Sequence, residues 1–299
     1  MMETKVAIVT GASSGIGAAL SGLLARERIH VVLAARQEGK LREVANRIQS
    51  SGGQVRAVAC DVTSRVEAER LVEDTVGKLG RIDLLVNNAG RGHFASVEDT
   101  TDAMIESMFA VNVFSLWYTT RPALRHMRKQ GSGHIINVAS MAGKLGFPYN
   151  SAYVAAKHAC VGFTHALRLE LAETGIHATV VCPAGVLTQW AEVTEGGSMR
   201  PFFSESGPII KKIAAERGVD LVPIEGVMSA DAVAEKIMEC VRHPVAECYT
   251  HRGSKEFAVL AAADREKAER YQIPVALGER EIYERRKGAE KNDTSKWDL

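Results

Sequence analysis

The stretch Thr10-Gly11-Ala12-Ser13-Ser14-Gly15-Ile16-Gly17 decides how this chain folds. It follows a β-branched run, Val6–Thr10, and leads into residues 18–26, which have helical spacing. Gly11 permits a tight turn, and Gly15 and Gly17 remove side chains where a ligand backbone and the sheet must come close. The start of the helix then offers unpaired N–H groups and a positive dipole end. A turn that merely needs positive φ has no use for that flanking strand and helix. The arrangement therefore predicts a cradle for a dinucleotide pyrophosphate, in a G-x-x-x-G-x-G spacing rather than G-x-G-x-x-G.

The same texture repeats outward from this turn. Short β-branched runs recur at residues 31–34, Val55–Ala59, 82–86, 135–139 and 178–182, with a last strand at 247–250. Longer stretches with helical periodicity lie between them. Apolar strands alternating with helices predict an α/β chain, a three-layer doubly wound Rossmann-like fold around a mostly seven-stranded parallel sheet. Residues 1–250 read as one dinucleotide-binding and catalytic domain. Within it, 188–229 reads as an irregular lid carrying Trp190, Met199, Phe202 and Phe203 among its glycines and prolines. A charged extension, 251–299, follows; it is expected to hold an amphipathic helix near 261–271 and a solvated or disordered end from 284. Cover for the cleft, an oligomer contact and a mobile tail all fit it.

Composition narrows the function classes. The 299 residues are 46% hydrophobic, so a large core is available and wholesale disorder is excluded. Basic and acidic residues number 37 and 36, which argues against a broad nucleic-acid surface. No apolar run reaches the roughly 18 residues of a membrane span, and residues 5–10 already read as a core strand rather than a secretory signal. Five scattered cysteines carry no metal or redox spacing, which points to a reducing, cytoplasmic setting without a catalytic metal. Helices 104–127 and 151–173 are apolar on nearly every side. One face can cover the sheet, and the other is expected to meet a second copy in a homodimer or homotetramer.

The second strand bears on the cofactor. NAD sites place a carboxylate at its end to hold the ribose 2′-hydroxyl. Here Ala35 stands at that point and Arg36 follows it. A guanidinium suits a 2′-phosphate, so the expectation is NADP(H).

Tyr153 and Lys157 lie four apart, on one helix face. A phenol titrates near 10, and bringing that to neutrality takes roughly 4 kcal/mol of differential stabilisation, part of which a neighbouring ammonium can supply. Tyr283 and Lys287 repeat the spacing in the charged tail, where a solvated face is expected. The first copy differs in having Ser140 upstream, at the end of an apolar strand, on the edge where ligands bind in such sheets. His93, just after the Asn88-Ala89-Gly90 turn, reads as a surface-loop histidine in preference to one facing the substrate.

Taken together, these motifs resemble the short-chain dehydrogenase/reductase family over about residues 5–250. They are Thr10-Gly-x-x-x-Gly-Ile-Gly17, Asp61-Val62, Asn87-Asn88-Ala89-Gly90, Asn112, Ser140, Tyr153-x-x-x-Lys157 and residues 183–188. The resemblance implies hydride transfer between NADP(H) and a small carbonyl or alcohol substrate. It makes Tyr153 the general acid and base, Ser140 the holder of the substrate oxygen, Lys157 the ribose ligand, and Asn112 the anchor of a proton-relay water. It places Asp61 and Val62 at the adenine and Asn88, Ala89 and Gly90 along the cofactor cleft. Gly11, Ser13, Ser14, Gly15, Ile16, Gly17 and Arg36 take the phosphates, and Pro183, Gly185, Val186 and Thr188 the nicotinamide. Asp61 also fits a cap on the helix beginning near Ser64. Where the family often has Pro-Gly, this chain has Pro183-Ala184. The aromatics of the lid, with Phe147 and Tyr149, suggest an apolar substrate such as a steroid, a lipid-derived carbonyl or an aromatic ketone. The rival reading is a regulator that binds NADP(H) without turning it over.

Overall fold

The computed structural model describes residues 4–192 and 194–292. The first half of the chain runs β1 (Val6–Thr10), α1 (Gly15–Arg26), β2 (His30–Ala35), α2 (Glu38–Ser50), β3 (Val55–Ala59), α3 (Arg65–Leu79) and β4 (Leu84–Asn87). Next come α4 (Asp102–Phe109), α5 (Ser115–Gln130), β5 (Gly133–Val138), α6 (Ser151–Glu170) and β6 (Ile176–Cys182). The last part holds β7 (Val186–Leu187), α7 (Arg200–Arg217), β8 (Met228–Ser229), α8 (Ala230–Arg242), β9 (Glu247–Tyr249), α9 (Ser254–Ala263) and α10 (Arg265–Asn292).

Seven strands form one parallel sheet in the order β3-β2-β1-β4-β5-β6-β9, as the strand pattern predicts. Strand order reverses between β1 and β4, which opens a crevice at their carboxyl ends. Alternating side chains feed two cores. Val9 and Val31 join Leu20 and Leu24 of α1 and Ile237 of α8 on one face. Ile8 and Val32 join Leu71 of α3 and Ala123 of α5 on the other. Burial on both faces explains why these strands read as continuous apolar runs.

The interior of the sheet also carries a polar thread. Asn87 of β4 accepts from the Thr119 hydroxyl of α5 at 2.7 Å and donates to Asn137 Oδ1 of β5 at 2.9 Å. Asn137 in turn donates to Thr164 Oγ1 of α6 at 2.9 Å. All four residues are buried, so two strands and two helices are tied at one depth below the crevice.

Several segments depart from the sequence expectations. Within 188–229, the expected irregular lid, lies the eighteen-residue helix α7. It tolerates Pro201 because a proline in the first turn removes no intrahelical hydrogen bond. The expected helix at 261–271 is instead the junction of α9 and α10, where the Asp264 carboxylate accepts from the Lys267 N–H at 2.9 Å and starts the second helix. The end expected to be solvated or disordered is helical as far as Asn292, with Glu284 and Arg285 exposed, and residues 293–299 lie outside the described residues. Tyr283 is buried and stacks on Tyr149 with ring centroids 4.4 Å apart. Its hydroxyl donates to Asp99 Oδ2 at 2.6 Å, and Lys287 pairs with the same oxygen at 2.6 Å. The second Tyr-x-x-x-Lys copy therefore staples α10 to the loop after β4. His93, read as a surface residue, is fully buried and bonds through Nε2 to Thr100 Oγ1 at 3.1 Å. Among the described residues no helix is long and apolar enough to cross a membrane.

Truncating Asn137 to Ala leaves buried polar partners on both sides, so the variant should lose roughly 1–3 kcal/mol in urea unfolding. His134 offers a second check. The Thr179 hydroxyl donates to Val245 O at 2.6 Å, so His134 Nε2, 2.9 Å away, donates to it. Its Nδ1 is buried without a partner, and burial above all pushes the imidazole pKa down to about 3. The unfolded chain takes up a proton near pH 6.5 that the folded one refuses, so this contribution is complete above that pH and lost as pH falls. Between pH 7 and 5 the protein should lose about 2 kcal/mol relative to His134→Leu, measured by denaturant titration at each pH.

Candidate active site

A cleft of about 930 Å³ opens at the carboxyl ends of the central strands. The glycine-rich turn forms its floor on one side. Gly11 and Gly15 take positive φ (65° and 53°), and Gly11, Ser13, Ser14, Gly15 and Ile16 all line the cleft. Gly17 sits beneath the turn rather than on the surface of the cleft: a Cβ there would lie 2.6 Å from both Asn88 Nδ2 and Gly11 O. The first turn of α1 has no side-chain cap and no acidic residue. Its N–H groups and dipole end are thus left to a ligand, which fits the diphosphate of a dinucleotide.

The rest of the cofactor-side wall comes from loops after β2, β3 and β4. Arg36 lines the cleft with its Nη1 4.0 Å from Asp61 Oδ2. Lys40, unnoticed in the sequence, stands one turn further on in α2 and also faces the cleft. Asp61 and Val62 both line it. The Asp61 carboxylate accepts from the Thr63 N–H and hydroxyl at 2.9 and 2.8 Å, and Ser64 caps α3 instead. The cap alternative for Asp61 is thereby excluded. Asn88, Ala89 and Gly90 are in the wall, and Asn88 Nδ2 also clasps the turn, donating to Thr10 O at 2.9 Å.

Ser140, Tyr153 and Lys157 meet on the far wall. Ser140 follows β5 by two residues and caps the short turn Met141–Gly143, its hydroxyl accepting from the Ala142 N–H at 3.1 Å and lying 3.4 Å from Pro183 O. Lys157 Nζ donates to Val138 O at 3.0 Å and stands 5.6 Å from the Tyr153 ring centroid. Asn112 lies behind this trio in a π-helical turn, residues 110–114, between α4 and α5. It does not line the cleft. Its Nδ2 donates to Arg91 O and Met108 O at 3.0 Å each, while its buried Oδ1 has no partner. A Cβ placed on Gly90 would sit 2.9 Å from that oxygen and 3.4 Å from Lys157 Nζ, so the two groups flank one point.

The electrostatics differ from the sequence expectation. Burial pushes the Tyr153 phenol above its ordinary range, offset in part by the Ser140 hydrogen bond. Burial likewise pulls the Lys157 ammonium down. Desolvation, not the charge on Lys157, dominates this wall, because both groups are buried and the phenol gains more from staying neutral than the amine can return.

Pro183, Gly185, Val186 and Thr188 border the cleft as expected. The residue that holds this loop was missed. His251 Nε2 bonds to Gly185 O at 2.8 Å, so that nitrogen carries the proton. Nδ1 is left as the acceptor for the Ala184 N–H at 3.2 Å and the Thr250 hydroxyl at 2.8 Å. Ala184 in place of the family's usual glycine is accommodated by this bracket. Trp190, Met199, Phe202 and Phe203 of the lid and Phe147 line the cleft, whereas Tyr149 points away onto Tyr283. Among the described residues no cluster of His, Cys, Asp or Glu fits a metal ion.

Comparison with known proteins agrees with this geometry. The short chain dehydrogenase profile matches residues 5–196. An uncharacterized oxidoreductase of Staphylococcus saprophyticus is 40% identical over 200 residues, covering 67% of this chain and 86% of that protein. A crystal structure of an actinorhodin polyketide ketoreductase variant with NADPH superposes with TM-score 0.73 at 34% identity, covering 83% of this chain and 96% of that one. A short-chain dehydrogenase/reductase from Burkholderia phymatum in complex with NAD gives TM-score 0.75 at 28% identity, covering 89% and 96%. With the sheet order, the glycine turn and the Ser-Tyr-Lys wall in place, the chain belongs to the short-chain dehydrogenase/reductase family of oxidoreductases.

Proposed function

We propose that this protein is an NADP(H)-dependent carbonyl reductase acting on an apolar ketone or aldehyde, and on the corresponding alcohol in reverse. The observation that carries the reading is the convergence of Ser140, Tyr153 and Lys157 on the cleft into which the phosphate-binding turn opens. When bound, the dihydronicotinamide supplies the hydride. The chain's own residues supply position and protons. The Ser140 hydroxyl holds the substrate oxygen and stabilises the charge that builds there. Tyr153 stays protonated until that charge develops, because burial disfavours its phenolate, and then gives its proton to the oxygen. Lys157 serves the ribose and the phenol together. Asn112 Oδ1, buried and unpartnered beside Lys157, suits a water that refills the proton from solvent.

Asp61 and Val62 serve the adenine, and Pro183, Gly185, Val186 and Thr188 the carboxamide side. Related structures carry NADPH in one case and NAD in another, so likeness alone does not set the preference. Arg36 supports the phosphorylated cofactor: its side chain is 60% exposed at the end of β2, free to turn from Asp61 to a 2′-phosphate, with Lys40 also lining the cleft. The apolar lid and Phe147 support an apolar substrate. The same reading takes the protein as cytoplasmic, in keeping with five unpaired cysteines. It takes it as a homodimer or homotetramer through residues 104–127 and 151–173, where Phe114 and Leu169 remain 47% and 80% exposed.

Tyr153→Phe should lower kcat by at least about 100-fold in an NADPH-consumption assay across ketones, with little change in NADPH binding. Turnover close to that of the parent protein would rule out Tyr153 as proton donor. Arg36→Asp should lower the NADPH-to-NADH ratio of kcat/KM by at least about tenfold, since it removes a charge-assisted contact and adds repulsion. An unchanged ratio removes Arg36 from cofactor selection.

A further inference from the structure

Glu279 of α10 has an environment that the mechanism does not use. It is 1% exposed yet lines the cleft. Its Oε2 is buried and has no hydrogen-bond partner. Native proteins keep very few such unpaired buried atoms.

The helix explains how the side chain arrives there. Gln272, Val275 and Glu279 recur three and four residues apart, so they share one face, and all three line the cleft. The Gln272 amide donates to Gly146 O at 2.8 Å, so its donor is already engaged within the protein. Beside Glu279 the wall closes tightly: a Cβ on Gly278 would meet Ile210 Cγ1 of α7 at 2.8 Å. Ile210, Val222, Ile224 and Phe257 add apolar surface to the same cleft. A carboxyl set in such a wall needs a partner from whatever fills the cleft.

We propose that Glu279 is a second polar anchor of the substrate site, exchanging hydrogen bonds with a hydroxyl that the substrate carries remote from its carbonyl. The proposal rests on the carbonyl-reductase reading above. Burial alone, with no charged neighbour contributing, lifts the Glu279 carboxyl well above the ordinary carboxylate range. The group offered is therefore a carboxylic acid, with one O–H to donate and one carbonyl oxygen to accept. A hydroxyl matches both functions at once. An ammonium would need a carboxylate that the apolar wall disfavours. The substrate class narrows to hydroxylated apolar ketones rather than plain hydrocarbon ones.

The test uses methyl ketones of graded chain length, from roughly four to ten carbons, each as the plain ketone, the ω-hydroxy ketone and the ω-ammonio ketone. Initial rates with NADPH are compared within each protein, so the ratios do not depend on the folded fraction. At one chain length the wild-type kcat/KM should favour the hydroxy ketone over the plain one by at least about tenfold. Glu279→Leu should bring that ratio close to one, and Glu279→Gln, which keeps a donor and an acceptor, should retain most of it. No chain length favouring the hydroxyl, a preference that survives Glu279→Leu, or a preference for the ammonium would each overturn the proposal while leaving the carbonyl reading in place. Absence of turnover with every ketone would remove the carbonyl reading itself and the proposal with it.

Discussion

The cleft depends on how closely two backbones approach at the ends of β1 and β4. A Cβ on Gly11 would come within 2.9 Å of Ala89 Cα, and one on Gly17 within 2.6 Å of the Asn88 amide. Bare backbone at those two points lets Asn88 reach across to the carbonyls of Thr10 and Gly11, and lets the Thr10 hydroxyl receive the N–H groups of Asn88 and Ala89. That clasp fixes where α1 begins and therefore where its unpaired amides point. It also sets the floor against which the Ser140 and Tyr153 wall stands. Side chains at Gly11 or Gly17 would separate the strands before any ligand entered.

Most of this frame is legible in the sequence because it obeys local rules. Val6–Thr10 is a continuous apolar or β-branched run and Val55–Ala59 is one broken only by Arg56, each bounded by turn residues, and both match the strands observed. Ser140, Tyr153 and Lys157 are placed by a strand end and a helix face. What escaped reading depends on tertiary burial. Residues 200–217 contain Gly207 and Pro208, which normally argue against a helix, yet α7 forms there against α10. From 284 onward the sequence is so highly charged that it reads as solvated or disordered, and nothing local distinguishes Glu279 just before it from the exposed acids nearby. His93 and His251 are similar cases: single polar residues in loops whose partners, Thr100 for one and the 184–185 backbone for the other, appear only once the chain has folded.

The electrostatic character of the site was the least legible of all. Spacing alone suggests that an ammonium four residues away acidifies a phenol. The folded wall is drier than that picture assumes, and burial holds Tyr153 toward its neutral form and Lys157 likewise. Charge at this point is costly until something compensates it. In the proposed reaction, an oxyanion developing beside Ser140 takes the Tyr153 proton as it forms, so proton movement and bond formation are coupled rather than sequential.

Because α10 comes late in the fold and walls the cleft, the proposed specificity and the proposed chemistry lie in separate stretches of sequence. Ser140, Tyr153 and Lys157 lie within 140–157, whereas the wall holding Glu279 comes more than a hundred residues later. On that proposal, changes confined to α10 can remodel which substrates fit while the residues at 140–157 stay as they are. This offers a physical route by which one scaffold diversifies its repertoire.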